Sequence, residues 1–471
     1  MFIRVLQRLE SPLSLTESTI LSAPASQPTT IAAVATPTGV GAVSLVRVSG
    51  PLAIAVADLA TAGRASLMSP RTATRCRILD TAGNVLDDGL MLVFKAPNSF
   101  TGEDCIEFSG HGGMLVTREV LARLLDCGAV PAGPGEFTQR AFFNGKLDLT
   151  QAEGVMDLIA AQTRLALRAA RSQLEGRLGH RTTEARDQVL ESLAHLEAWI
   201  DFPEEDIQPQ SGAILHAGIH SVLTTLEALL ATADQGRVLR DGARTVIFGA
   251  PNVGKSSLLN YLLGFERAIV SELPGTTRDT LEEIVSIHDI PLRLVDTAGV
   301  RRAGDPIEAA GILRTERQIE AADLLLEVVD ASLPCPTALT LPATSAKRLL
   351  ILNKTDLGEH PSWRDTTAVR LSCADGTGFE SLTRAIRDAL HFNEADWGDH
   401  AIAINTRHQA SLLAARSALL DALDVLATPA NDPALAAIDL RNALDALGEI
   451  PGRVDTDDLL GVIFSRFCIG K

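Results

Sequence analysis

A lysine and two serines close a glycine-bounded stretch, Gly249-Ala250-Pro251-Asn252-Val253-Gly254-Lys255-Ser256-Ser257. The two glycines let a backbone turn tightly enough to aim its N–H groups at a phosphate. Lys255 can reach the β and γ phosphates as a point charge, and the Ser256 hydroxyl suits Mg²⁺. Three further groups follow in order. Asp296-Thr297-Ala298-Gly299 offers a carboxylate to the Mg²⁺ shell and a glycine N–H to the γ-phosphate. Asn353-Lys354-Thr355-Asp356 offers a carboxylate that can accept from both N1–H and the N2 amino group of guanine. Adenine has neither donor, so the pattern points to GTP rather than ATP. Ser372-Cys373-Ala374 is placed to close over the base.

Chemistry of this kind needs strand ends and a helix start to hold it, and the flanking residues predict them. Val246-Ile247-Phe248 reads as a strand before the glycine loop, and Leu258 to Leu263 as a helix after it, stopped by Gly264. Strands over Leu292–Val295, Leu349–Leu352 and Val369–Leu371 carry the other three groups. The block from 242 to 391 is therefore expected to be a Ras-like P-loop domain. On either side the period becomes helical. Val189, Leu193, Leu196 and Ile200 share one face, as do Leu412, Leu419, Leu423 and Leu426. Residues 151–241 and 392–471 are expected to form one discontinuous helical domain into which the nucleotide block is inserted. Asp201-Phe202-Pro203-Glu204-Glu205-Asp206 should end its first long helix. Residues 30–150 alternate apolar and polar segments and predict an α+β domain. It opens on two strand-like runs around the turn Thr36-Pro37-Thr38-Gly39. Residues 1–29 are expected to be a disordered extension.

The whole chain has 471 residues, a net charge of −17 and 46% hydrophobic residues. That charge argues against a surface that grips nucleic acid by itself. There is no uninterrupted apolar run of bilayer length, so no membrane role is expected. The six cysteines (Cys76, Cys105, Cys127, Cys335, Cys373, Cys468) show no C-x-x-C pair, which suits a reducing compartment; a bacterial-type cytoplasm is expected, with an organelle as the alternative.

The segments between the motifs bear on mechanism. Ras-like proteins place a glutamine after the D-x-x-G glycine to orient water; here Val300 stands there. Ser271-Glu272-Leu273-Pro274-Gly275-Thr276-Thr277 lies between the first two motifs, with Thr277 placed to give a hydroxyl to Mg²⁺. Glu308, nine residues past Gly299, could position water. From spacing alone, a solvated helix charge accounts for Glu308 at least as well.

The motifs GAPNVGKSSLLN, GTTRD, DTAG, NKTD and the terminal FCIGK together resemble the MnmE (TrmE) family of tRNA-modification GTPases. VRVSG, PNSFTGEDCIEFSGHGG, GPGEFTQRAFFNGKLDLTQAE and DFPEEDI extend the resemblance from Thr30 to Lys471. It implies a GTP-hydrolysing homodimer that joins an FAD-binding, MnmG-like partner in a heterotetramer. Together they would modify carbon five of the wobble uridine of certain tRNAs with a folate-derived one-carbon unit. By motif matching, Arg47, Glu107, Lys146 and Lys471 look like contacts to a reduced folate, formyl- or methylene-tetrahydrofolate, in a folate-binding-like N-terminal domain. Asn252, Ser271, Leu273 and Thr276 resemble K⁺ ligands. Glu308 matches the family's catalytic glutamate, beside Lys255, and Cys468 a cysteine needed for modification. Cys373 stands where alanine is usual. The GTPase motifs alone are shared with GTP-dependent ribosome-assembly factors, which lack the one-carbon chemistry and form the alternative reading.

Overall fold

The computed structural model describes residues 29–201, 210–265, 282–296, 318–335, 344–392, 402–428, 432–452, 460, 463–465 and 467–470. It divides into two compact units, one of Met1–Lys146 with Phe464–Lys471, the other of Leu147–Ile463.

The first unit is built on a six-stranded sheet. Its strands are β1 (Ile31–Val34), β2 (Val43–Ser49), β3 (Thr74–Leu79), β4 (Val85–Phe94), β5 (Cys105–His111) and β6 (Val130–Pro131), in the order β3-β4-β5-β2-β1-β6. All neighbours are antiparallel except β1 and β6. Alternation along β2 buries Val46 and Val48 while Arg47 points to the other face, where it lies directly across from Glu107 of β5. Helices α1 (Ala53–Thr61) and α2 (Met114–Asp126) bury Val56, Ala57, Val120 and Leu124 against the first face. Helix α3 (Glu136–Phe143) places Phe137 in a small core with Ile31 and Ala33 on the second. The expected α+β character of this segment, and its opening β1–β2 pair, are what the chain forms.

The end of the chain also belongs here. Pro134 and Ile469 form a β-bridge, and Gly135 N donates to Cys468 O at 3.3 Å. Gly135 sits at φ +65°, and a Cβ there would stand 2.8 Å from both Phe464 O and Phe467 Cβ. The close approach therefore requires glycine. Residues 392–471 are expected with the helices; by packing, Phe464–Lys471 goes with the N-terminal sheet, because the Phe464 carbonyl and the Phe467 side chain lie against the turn before α3.

The second unit holds the helices α4 (Leu149–Ala160), α5 (Arg164–Leu174), α6 (Arg177–Asp201), α7 (Gln210–Leu230) and α8 (Ala233–Asp241). Near its other end come α11 (Thr406–Ala427) and α12 (Pro433–Glu449). Val189, Leu193 and Leu196 of α6 share one core with Ile219 and Leu226 of α7 and with Leu412, Leu419 and Leu440 of α11 and α12. The two helical halves thus cover each other's apolar faces, as their periods predict. By length and composition Ala213–Asp241 would suffice to cross a bilayer; here Leu215, Ile219, Val222, Leu226 and Leu229 lie in that helical core. Residues 202–206, expected to end α6, lie outside the described residues, as do 1–28 of the expected extension.

Between the helical halves runs a second sheet. Its strands are β7 (Ala243–Phe248), β8 (Glu282–Ile287), β9 (Ile290–Asp296), β10 (Leu324–Asp330), β11 (Lys347–Asn353) and β12 (Val369–Arg370), in the order β12-β11-β10-β7-β9-β8. All pairs are parallel except β8–β9. Helix α9 (Lys255–Phe265) and α10 (Phe379–Ala389) flank it. Gly264, expected to stop α9, is inside its last turn.

A polar cluster ties α4 to α11. Arg407 grips Glu153 with Nε and Nη2 at 2.9 and 3.0 Å, and His408 Nε2 lies 2.7 Å from the same carboxylate. Burial alone would raise the Glu153 carboxyl, but His408 and Arg407 hold it at about 2. His408 is fully buried and its Nδ1 accepts from Asn405 N, which caps α11. That fixes Nε2–H as the donor to Glu153 and keeps the imidazole neutral, its pKa lowered by burial against the pull of Glu153. One turn on, Asp157 lines a cavity of about 30 Å³ between α4, α5, α8 and residues 403–405. Burial pushes its carboxyl up to about 6, against Arg240 at 3.7 Å and with Glu153 and Asp241 adding to the rise.

Candidate functional site

The chemistry-bearing residues of the second unit gather at the carboxyl ends of the parallel strands. In an open α/β sheet that edge is where ligands bind. β7 delivers the loop 249–254, and α9 begins at Lys255. Gly254 is at φ +101°, and a Cβ there would collide with the Asn353 amide nitrogen. Asn252 is exposed and left-handed, at φ +63°. Val253 is buried, while Ser256 and Ser257 are exposed at the helix start. Lys255 Nζ folds back onto the carbonyls of Gly249 and Ala250, at 3.0 and 2.6 Å. A phosphate placed in the loop would offer that ammonium stronger acceptors than two neutral carbonyls.

Asn353 is the buried tie of this edge. Its Nδ2 donates to Val253 O at 2.9 Å, and its Oδ1 accepts from Cys373 N at 3.1 Å. One side chain thereby sets the spacing between the glycine-bounded loop and the Ser372–Ala374 loop. Ser372 Oγ donates to Asp356 Oδ1 at 2.7 Å and accepts from Ala374 N at 3.2 Å. Asp356 is exposed, on the 3-10 turn Thr355–Leu357. Lys354 precedes it in a left-handed conformation and pairs with Asp330. Cys373 is half-buried and its thiol is pushed up to about 11 by burial, so it stays protonated at neutral pH. Behind it the Tyr261 and Phe379 rings pack at 4.6 Å.

Asn252, Val253, Gly254, Lys255, Ser256, Ser257, Asn353, Lys354, Asp356, Ser372, Cys373 and Ala374 are therefore brought to one edge. Asp296 ends β9 at the same edge. Ser271, Glu272, Leu273, Pro274, Gly275, Thr276, Thr277, Thr297, Ala298, Gly299, Val300 and Glu308 lie outside the described residues. Asp330 is the residue that motif reading missed; its only signal is that it ends an apolar strand beside the one that carries Asn353.

The first unit gathers a second set. Arg47 Nε donates to Glu107 Oε1 at 2.9 Å, with Nη2 at 2.7 Å from the same oxygen. The guanidinium lies 5.8 Å from the Phe100 ring centre and 5.6 Å from that of Phe137. Its Nη1 reaches Gly470 O at 3.5 Å. Lys146 Nζ donates to Pro97 O at 3.0 Å and its stem passes over Gly102, so Lys146 and Arg47 border the same 97–102 loop. Cys468 is half-buried and outside any disulfide. Lys471 lies outside the described residues. Among the described residues no group of three or more His, Cys, Asp or Glu could hold a metal. Phe100 and Phe137 stand inside the motifs PNSFTGEDCIEFSGHGG and GPGEFTQRAFFNGKLDLTQAE, which give neither of them a role.

Comparison with known proteins divides the chain at nearly the same first boundary. Residues 30–146 match the model described as the GTP-binding protein TrmE N-terminus, and 149–468 match that of the MnmE helical domain. A protein of Akkermansia muciniphila named tRNA modification GTPase MnmE is 51% identical over 444 residues, covering 94% of this chain and 99% of its own. Proteins of the same name from Opitutus terrae and Geobacter metallireducens are 46% and 42% identical, each over 94% of this chain and 99% of theirs. The G domain of the T. maritima FeoB iron transporter aligns with 31% of this chain and 98% of its own at 22% identity and a TM-score of 0.22. Matched by both domain models and by relatives along nearly its whole length, the chain belongs to the MnmE family of tRNA modification GTPases.

Proposed function

We propose that this chain hydrolyses GTP and couples the cycle to tRNA modification, the activity for which its relatives are named. The observation that carries the nucleotide part is the Asn353 tie, which holds a phosphate-type loop and a base-type loop at fixed spacing. In this reading Lys255 leaves the carbonyls of Gly249 and Ala250 for phosphate oxygens. Ser256, with Thr277 and Asp296, would hold Mg²⁺, which neutralises charge between phosphates when bound. Asp356, steadied by Ser372, accepts from the two guanine donors. Asn252, exposed beside the loop, would share K⁺ with Ser271, Leu273 and Thr276. Glu308 would position the attacking water in place of the missing glutamine.

The finer assignment rests on the first unit. Arg47 between two aromatic rings, paired with Glu107 and bordered by Lys146, suits a flat heterocycle carrying a glutamate tail, as in formyl- or methylene-tetrahydrofolate. Lys471 and Cys468 would complete that site from the tail. The protein would act as a homodimer with an FAD-binding, MnmG-like partner on the wobble uridine of tRNA. A ribosome-assembly role leaves this cluster of aromatic and basic side chains without a purpose.

Single-turnover hydrolysis at equal ionic strength tests the reading. Parent hydrolysis should be faster in K⁺ than in Na⁺, and Glu308→Ala should lose roughly 10²–10⁴-fold in rate with GTP binding nearly intact. Equal rates in both salts would remove the cation, and turnover of ATP as fast as GTP would remove the guanine site.

A further inference from the structure

The motifs leave Asp330 without a purpose, yet its surroundings are specific. It closes β10 and lies directly across the parallel ladder from Asn353. Ala331 N donates to Asn353 O at 2.8 Å, so the two strand ends are pinned together. The Asp330 side chain is only 10% exposed. One carboxylate oxygen accepts from Ser332 N at 3.0 Å and Ser332 Oγ at 2.6 Å. The other accepts from Lys354 Nζ at 2.7 Å. Burial works against the charge, but Lys354 and Ser332 hold the group below the usual carboxylate range.

Lys354 sits at φ +64°, a conformation that costs a side-chain-bearing residue free energy and persists only where its surroundings impose it. That left-handed step sends the chain out of β11 into the 3-10 turn that carries Asp356 two residues later. The direction of Asp356 therefore depends on how Lys354 leaves the strand. Asp330 holds the far end of the Lys354 side chain, and Ser332 holds Asp330.

We infer that Asp330 is a positioning residue for guanine recognition: by anchoring the Lys354 ammonium it fixes the turn that aims Asp356 at the base. This rests on the guanine-nucleotide reading of the site. Asp330 acts through Lys354 and touches no nucleotide itself, so its effect must vanish when the lysine cannot pair.

The experiment is a double-mutant cycle in the full-length protein, with Asp330→Ala, Lys354→Met and the double variant. Readouts are the dissociation rate of a fluorescent GDP and the affinity ratio of GTP to ATP. Asp330→Ala should speed GDP release about tenfold or more and narrow the GTP preference, the scale of one lost charge-assisted hydrogen bond. Asp330→Glu should recover part of the loss. In the Lys354→Met background Asp330→Ala should add less than about twofold. If Asp330→Ala fails to fold, Asp330→Asn decides, since its amide oxygen still accepts from Ser332 while its NH2 cannot accept from the lysine ammonium. Equal losses in both backgrounds, or a lowered Tm with an unchanged GTP preference, would overturn the inference. A parent protein that does not prefer GTP to ATP would instead overturn the reading of the site.

Discussion

Both ends of the Asn353 side-chain amide are engaged before any ligand arrives, one on Val253 and one on Cys373. The neighbouring Asp356 is different: Ser372 holds one oxygen, and the residue is exposed. A tie and a reader thus stand three residues apart in one motif. Asp356→Asn should weaken GTP by roughly 10–100-fold, because an acceptor of two guanine protons becomes a mixed donor and acceptor. It should also shift preference toward xanthine nucleotides, which competition binding with GTP, XTP and ATP would register. Unchanged GTP affinity would remove Asp356 from base recognition. At this scale most of the site was legible, since each motif is a few contiguous residues whose chemistry does not depend on distant chain. Asp330 was not, because nothing within its own stretch shows that a lysine 24 residues away returns to it.

The elements were legible where their period is local. The α6 face of Val189, Leu193 and Leu196 could be read from spacing, and it is buried as read. What periodicity cannot give is a polar contact between helices far apart in sequence, such as Glu153 of α4 with Arg407 and His408 of α11. Asp157, one turn along α4, gives that junction a pH dependence. Its folded pKa of about 6 lies above the ordinary carboxylate value, so the folded state binds the proton more tightly than the unfolded. The charge therefore costs stability above pH 6, and that cost fades as pH falls from 6 toward 4. Asp157→Asn should be more stable than the parent at pH 8, by on the order of 2 kcal/mol, and equal to it near pH 4. His408, neutral and depressed, lowers stability as pH falls below its unfolded value, but it does so in both proteins and cancels from the difference. Thermal melts of the two proteins across this range make the comparison; a pH-independent difference would place the cost of Asp157 elsewhere.

At the scale of the whole molecule, the least legible feature was the return of residues 464–470 to the N-terminal sheet. Short motifs and local periods carry no trace of a contact such as Arg47 with Gly470, 423 positions away. Removing residues 464–471 should loosen β1 and α3, because Phe464 and Phe467 pack at Gly135 and Ile469 bridges Pro134. Hydrogen exchange should then speed up in β1 and α3 while the helical core around Leu419 and Ile219 keeps its protection; unchanged exchange in β1 would show the tail to be dispensable. The same return has a consequence for biosynthesis. Domains usually fold in the order in which they leave the ribosome. Here the first unit emerges early but lacks its last pieces until all of Leu147–Ile463 has been translated. A nascent chain stalled anywhere in that interval carries Arg47 without the backbone that meets it. The Arg47–Gly470 contact therefore reports that translation has passed residue 470.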